Sequence, residues 1–239
     1  MRSHGKGKRI SVVTRILEAN DRVAQENRLV FRAAGTYVVD LIGSPGSGKT
    51  SLLEATLPKL LRDMRIGVIA ADIETTLDAQ RIAAFGVPVV QATTSAFGGA
   101  CHVEASTVRQ AIAQLNLHDL DLVFVENVGN LVCPAEFDIG QSARVVVFSV
   151  TEGEDKPLKY PLAFSTANLA VISKTDILPH LDLNMTALRG HLRQINMGLK
   201  WVELSARSGE GVDSWIGWIR QAVSRRSIST AAEGARGIS

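Results

Sequence analysis

Seven short apolar runs recur along the chain, at residues 38–42, 67–71, 87–90, 122–125, 145–150, 169–172 and 201–204. Nearly every position in them is apolar, the pattern of strands covered on both faces. Helical periodicity falls between most of them, near 51–63, 76–84, 102–116, 184–196 and 212–223. This alternation predicts an α/β fold, a mostly parallel sheet covered by helices on both faces. Ahead of the first run, Ile10, Val13, Ile16, Leu17, Ala24, Leu29 and Phe31 punctuate a charged stretch. Their spacing predicts a helix over residues 9–33, packed outside the main sheet and ended by Gly35. The polar, basic residues 1–8 predict a disordered start, and the Arg-, Ser-, Gly- and Ala-rich end a frayed tail. The expected organisation is an N-terminal helical segment over 1–36, one α/β domain over 37–224, and a flexible tail over 225–239.

Composition narrows this picture. With 239 residues, 46% of them apolar, the chain can bury a sizeable core. A net charge of +2 is too small to make nucleic acid or a membrane surface the main partner. No apolar run approaches the roughly 18 residues of a membrane-spanning helix, and no apolar signal core follows the basic start. Two cysteines do not make a disulfide framework, so a reducing cytoplasmic setting is expected.

The most specific stretch is Gly43-Ser44-Pro45-Gly46-Ser47-Gly48-Lys49-Thr50, between the first apolar run and the helical pattern that opens at Ser51. Glycine, four residues, glycine, lysine and threonine between strand and helix is the arrangement of a phosphate-binding loop. The glycines let several backbone N–H groups converge on one anion, and the helix N-terminus adds further donors. Lys49 is placed to reach the β- and γ-phosphates, and the Thr50 hydroxyl to ligate Mg²⁺.

Later residues choose the base. Lys174-Thr175-Asp176 follows an apolar run, and Asp176 can accept from guanine N1–H and its exocyclic amine together. Adenine offers neither, so an unpaired carboxylate would reject it. Ser205-Ala206-Arg207 ends another run and is placed to present backbone donors to guanine O6. Ser173 precedes Lys174 where the usual GTPase pattern has asparagine, and its shorter side chain is expected to lose a supporting hydrogen bond. Two acids end strand-like runs: Asp72, with Glu74 and Asp78 close behind, and Glu126, in Glu126-Asn127-Val128-Gly129. In a doubly wound sheet, strand ends face the ligand. Asp72 and Glu126 are therefore candidates for the Mg²⁺ shell and water orientation, and the Gly129 N–H for sensing the γ-phosphate. The alternative is that these acids cap helices.

The two cysteines need their own account. Cys101-His102 follows Gly98-Gly99-Ala100, and Cys133 lies four residues after Gly129. Two thiolates and an imidazole suit Zn²⁺ or Ni²⁺, and three ligands leave a coordination position open. Taken singly, a free cysteine is commonly a small buried apolar residue. A ligand tethered to the γ-phosphate sensor, however, links metal affinity to nucleotide state.

Together these residues resemble the HypB family, the nickel-insertion GTPases of hydrogenase maturation, a branch of the SIMIBI-class P-loop GTPases. The resemblance runs through Ile16-Leu17-Glu18-Ala19-Asn20-Asp21, Asn27-Arg28, the phosphate loop, residues 72–78, Cys101-His102, ENVGNLVCPAEFD over 126–138, TEGEDKPLKYP over 151–161, and residues 174–176. It implies a P-loop NTPase fold with an N-terminal helix and a GTPase that dimerises with bound nucleotide. It also implies a nickel or zinc site at Cys101, His102 and Cys133 near the subunit interface. A HypA-type nickel-binding partner and the large-subunit precursor of a nickel–iron hydrogenase are implied as well. Residues 1–36 hold no cysteine and only His4, so an N-terminal nickel store is not expected. Relatives that reach across the dimer with a lysine early in the phosphate loop have it where this chain has Ser44. Lys156 or Lys159 is the candidate for that role here. Two alternatives remain: a urease-type accessory GTPase, whose Cys-Pro-His motif is not matched by Cys133-Pro134-Ala135, and a GTP-gated metal-binding switch. A small-molecule kinase fits the guanine-reading segment least.

Overall fold

Val68 donates its backbone N–H to the carbonyl of Pro88, which itself has no N–H to give. The third strand therefore starts after that proline, at Val89 rather than at residue 87. It belongs to a seven-stranded sheet of β1 (Tyr37–Gly43), β2 (Ile66–Asp72), β3 (Val89–Thr93), β4 (Leu122–Gly129), β5 (Ala143–Ser149), β6 (Leu169–Ser173) and β7 (Lys200–Glu203). The order is β3-β2-β4-β1-β5-β6-β7, and every strand pair is parallel. The computed structural model describes the backbone over residues 6–72, 77–93 and 101–236, and side chains over 14–71, 77–92 and 101–225.

The helices are α1 (Lys6–Ala34), α2 (Lys49–Leu60), α3 (Leu77–Ala83), α4 (Ala105–Ile112), α5 (Cys133–Glu136), α6 (Lys156–Lys159), α7 (Pro161–Ser165), α8 (Met185–Ile195) and α9 (Val212–Arg236). They sort onto the two faces through the strand alternation. Val39 and Leu41 of β1 join Phe124, Val147 and Val171 beneath α2 and α9, with Trp215 fully buried. On the other face Val38, Ile69, Val123 and Val125 pack against Phe31 of α1 and Val108 and Ile112 of α4. Ile42, Val146, Phe148 and Ile172 pack there against Phe164 of α7 and Leu188 and Leu192 of α8. Full burial of one such side chain contributes about 1.5–3 kcal/mol.

Helix α1 ends as the glycine signal predicts. Gly35 has φ +75°, its N–H bonds the Arg32 carbonyl, and the Thr36 N–H bonds the Phe31 carbonyl. These two hydrogen bonds satisfy the Phe31 and Arg32 carbonyls in the last turn of the helix.

Three expectations change. The helix already runs from Lys6, inside the stretch read as disordered; residues 1–5 lie outside the described residues. Helix α9 continues to Arg236 through most of the stretch read as tail. Its Ala, Arg and Glu residues favour helix even where apolar periodicity is lost. Helix α4 is shorter than expected, because Glu104 takes an extended conformation ahead of it. Cys101 and His102 thus sit in the turn that precedes the helix.

Because β1 lies between β4 and β5, the phosphate loop at its end is flanked by the ends of those two strands. Asp72 ends β2, Ser173 ends β6 and Glu126 lies near the end of β4, all toward the carboxyl ends of the strands.

Candidate functional site

The phosphate loop closes against β5. A Cβ at Gly43 would stand 2.2 Å from the Val147 carbonyl, so only glycine fits. Gly46 and Gly48 take the left-handed backbone, φ +72° and +96°. Helix α2 then begins at Lys49, with its unsatisfied N–H groups directed at the loop. Lys49 Nζ lies 3.0 Å from the Gly43 carbonyl oxygen. Before this loop opens a cleft of about 570 Å³, lined by Gly46, Gly48, Lys49, Thr50, Glu126 and Gly129 among others.

Thr50 donates its hydroxyl to Glu126 Oε1 at 2.6 Å. Glu126 is 5% exposed, and its Oε2 has no partner among the described residues. Burial pushes its pKa up, opposed by the Thr50 bond and the Lys49 charge. An orphaned buried carboxylate oxygen beside a hydroxyl is a donor set suited to Mg²⁺. Asp72 ends β2 as expected, but its side chain, like Glu74, lies outside the described residues. Asp78 lines the cleft and pairs with Arg81 at 3.0 Å.

Gly129 meets the loop from the other side. A Cβ there would lie 2.9 Å from Pro45 Cγ and 3.0 Å from Pro45 Cα. The backbone at Gly129 therefore lies against Pro45 with no room for a side chain between them.

A second hollow of about 230 Å³ adjoins the cleft, lined by Gly48, Ser51, Ser173, Lys174, Asp176, Ala206 and Arg207 among others. Lys174 holds a left-handed backbone, φ +60°, alone among the described non-glycine residues. Such strain persists where its surroundings enforce it. Ser173 corrects the expected loss of support: its hydroxyl lies 2.5 Å from the Ser47 carbonyl oxygen and 3.2 Å from that of Phe148. It braces the phosphate loop directly. Ser205 is fully buried, and its hydroxyl accepts the Ser208 N–H, so it shapes the loop that carries Ala206 and Arg207. Lys156 does not line the cleft; it pairs with Glu152 at 2.7 Å and lies over the Tyr160 ring. Lys159 pairs with Asp155.

Cys101, His102 and Cys133 come together, with their ligand atoms all within 4.8 Å of one another. His102 stacks on Phe137, ring centres 3.8 Å apart. Burial lowers its pKa, which keeps the imidazole neutral and able to ligate. Burial also pushes the Cys133 thiol up, with the neighbouring Cys101 adding to the shift. This is the raised state that a bound cation reverses. The donor chemistry fits Ni²⁺ or Zn²⁺.

A buried network joins this cluster to the nucleotide cleft, and sequence reasoning passed over it. Asn127 Oδ1 accepts the Val103 N–H at 3.2 Å and the Val128 N–H at 3.0 Å. Its amide donates to Asp40 Oδ1 at 3.0 Å, and Asp40 Oδ2 accepts from Arg144 Nε at 3.1 Å. The two remaining nitrogens of Arg144 donate to the Ala135 and Phe137 carbonyls. Burial pushes the Asp40 carboxyl up against the pull of Arg144. The available signal was a charged residue inside an apolar strand, Asp40 among Val38, Val39, Leu41 and Ile42. A cavity of about 620 Å³ at the opposite ends of the strands, between α1 and α9, holds none of these groups.

Residues 37–203 match the family model described as CobW/HypB/UreG, nucleotide-binding domain. The hydrogenase maturation factor HypB of Azotobacter chroococcum mcd 1 is 47% identical over 224 residues, covering 92% of this chain and 72% of that protein. Among solved structures, HypB from Helicobacter pylori in complex with nickel superposes with a TM-score of 0.82 at 32% identity, covering 87% of this chain and 96% of that one. The hydrogenase maturation factor HypB from Archaeoglobus fulgidus gives 0.80 at 34%, covering 87% and 100%.

Proposed function

Because the chain belongs to the CobW/HypB/UreG family, and within it to the hydrogenase maturation factors HypB, we propose that it is a GTP-hydrolysing nickel metallochaperone serving the large subunit of a nickel–iron hydrogenase. One observation carries the reading. Three soft and borderline ligands converge within 4.8 Å, one of them on the segment that continues from Gly129, where a side chain would collide with Pro45 of the phosphate loop.

The residues divide the work. Backbone N–H groups of the loop and of the first turn of α2 hold the phosphates, with Lys49 at the β,γ-bridge. Asp176 reads guanine from the hollow beside Lys174, and Ala206 and Arg207 close it. Thr50 and Glu126 would hold Mg²⁺, together with Asp72 at the end of β2. When bound, that ion neutralises charge building on the phosphates. Gly129 registers the γ-phosphate through its backbone, and Cys133 rides on the same segment. Cys101, His102 and Cys133 receive nickel as cargo, or zinc in its place. The open coordination position allows the metal to be handed on to a partner. Dimerisation with nucleotide, a HypA-type donor and a lysine acting across the interface, Lys156 or Lys159, complete the proposal. Both lysines are paired within their own chain, so that role requires them to exchange partners.

The test is the Ni²⁺ affinity of the purified protein with GDP and with a non-hydrolysable GTP analogue, read alongside molecular mass. Affinity and mass that both change with nucleotide support a coupled metallochaperone. Weak nickel binding, identical in both states, sinks it.

A further inference from the structure

The family-like residues Asn20 and Asn27 touch neither nucleotide hollow and supply no ligand. They sit on the inward stripe of α1, which reads Asn20, Ala24, Asn27 and Phe31 at helical spacing. All four are buried, Ala24 and Asn27 completely. Asn20 Oδ1 accepts the Ala105 N–H at 2.9 Å, and its amide donates to the Asp138 carbonyl at 2.7 Å. The Asn27 amide donates to the Ala105 carbonyl at 2.8 Å and the Ile139 carbonyl at 3.2 Å. Both side chains therefore bridge the same two segments. One follows Cys101-His102 and the other follows Cys133.

Two further contacts hold this arrangement. Arg28 donates to both oxygens of Asp138, at 2.9 and 2.6 Å. Gly140, at φ +87°, lets the second segment lie directly on the helix: a Cβ there would come within 2.6 Å of the Ala24 carbonyl and 2.7 Å of Asn27 Cβ. Asn27 Oδ1 is buried with no partner among the described residues. An apolar residue would anchor the helix without that cost. What it would lack is a directional bond to each segment, and that is what the two amides provide.

We infer that α1 is a clasp on the metal site, with Asn20 and Asn27 as positioning residues that set the spacing of Cys101-His102 against Cys133. The inference rests on the nickel reading of that cluster. Groups that orient metal ligands from outside typically control affinity 10–100-fold. Nickel affinity then depends on a helix that donates nothing to the metal, and displacing α1 loosens the site without touching a ligand.

The experiment compares wild type, Asn20→Ala, Asn27→Ala and the control Ile219→Ala, which opens the core on the opposite face of the sheet. Three readouts are taken: Ni²⁺ affinity against a chromophoric chelator, GDP affinity, and metal-free cross-linking of Cys101 to Cys133 by dibromobimane. In that reaction each thiolate displaces one bromide, and fluorescence follows when both arms are attached. The asparagine variants should bind nickel about tenfold or more weakly and cross-link at altered rates, with GDP affinity within about twofold. The control, whatever its loss of Tm, should keep wild-type nickel affinity and cross-linking. Asparagine variants that match the control in both metal and cross-linking readouts overturn the clasp. If wild type itself binds no nickel, the nickel reading fails, and the cross-linking rates decide the clasp alone. Should Asn27→Ala not fold, Asn20→Ala at the rim of the stripe carries the comparison.

Discussion

Thr50 and Glu126, one opening α2 and the other near the end of β4, share a 2.6 Å hydrogen bond. The other oxygen, Glu126 Oε2, is buried with no partner among the described residues. Burial pushes this carboxyl up, and a divalent cation held at that oxygen would offset the cost of its charge. Glu126→Gln should slow single-turnover GTP hydrolysis about 100-fold or more and raise the Mg²⁺ concentration required. An unchanged Mg²⁺ titration removes Glu126 from the ion's shell.

Asp176 lines the hollow beside the phosphate cleft. Asp176→Asn should lose GTP affinity about 100-fold or more and gain affinity for xanthosine triphosphate, whose base offers an acceptor where guanine has its amine. Competition binding with the two nucleotides measures this. Retained guanine preference would take Asp176 out of base recognition.

Gly129 has no room for a side chain against Pro45. Gly129→Ala should push the β4 end away from the loop. The ratio of affinities for a GTP analogue and GDP should then fall toward one, with a stability loss of about 1–3 kcal/mol. Isothermal titration with both nucleotides checks the first effect and urea unfolding the second. A ratio equal to wild type means the segment does not sense the γ-phosphate.

Arg144 and Asp40 form an ion pair with side chains 6% and 0% exposed. Arg144→Ala leaves a buried carboxylate uncompensated and should cost about 3–5 kcal/mol. Asp40→Asn in the same background should recover part of it, because the orphaned charge is then gone. Chemical denaturation of the single and double variants gives the answer; no recovery would mean that packing, not charge, dominates.

Glu203 accepts from Arg189 Nε and a terminal guanidinium nitrogen at 2.7 Å each. These bonds hold its carboxyl below the ordinary 4.5. A depressed carboxylate stabilises the fold fully above its unfolded pKa, and the gain is lost as pH falls through the folded value. The pair is partly exposed, so screening keeps the effect near ~0.5 kcal/mol. Wild type should exceed Glu203→Gln in urea at pH 7 and converge with it well below pH 4. A difference that persists in acid assigns the effect to packing.

The sheet was legible because parallel strands buried on both faces read as unbroken apolar runs, and the phosphate loop because its glycines have fixed spacing. The inward face of α1 was not, since two of the four buried positions among its described residues are asparagine. An apolar count finds Ala24 and Phe31 but adds Ile16 and Leu29, which are 50% and 64% exposed. Asp40 and Arg144 were passed over for a different reason. They are partners only through the register of β1 on β5, which no local pattern carries. Ser173 reads as a weakened asparagine until the fold shows its hydroxyl against the phosphate loop.

Strand β1 pairs with β4 and β5, never with β2, which follows it in the chain. Tyr37 finds Leu122, and Val39 finds Ala143. Helices can form within about a microsecond, but pairing between such distant segments comes late in folding. On the ribosome, the strand that carries the phosphate loop keeps at least one edge open until β5, which lies beyond Cys133, has emerged. Completion of the strand that leads into the glycine loop therefore waits, in the order of synthesis, on the segments that hold Cys101, His102 and Cys133.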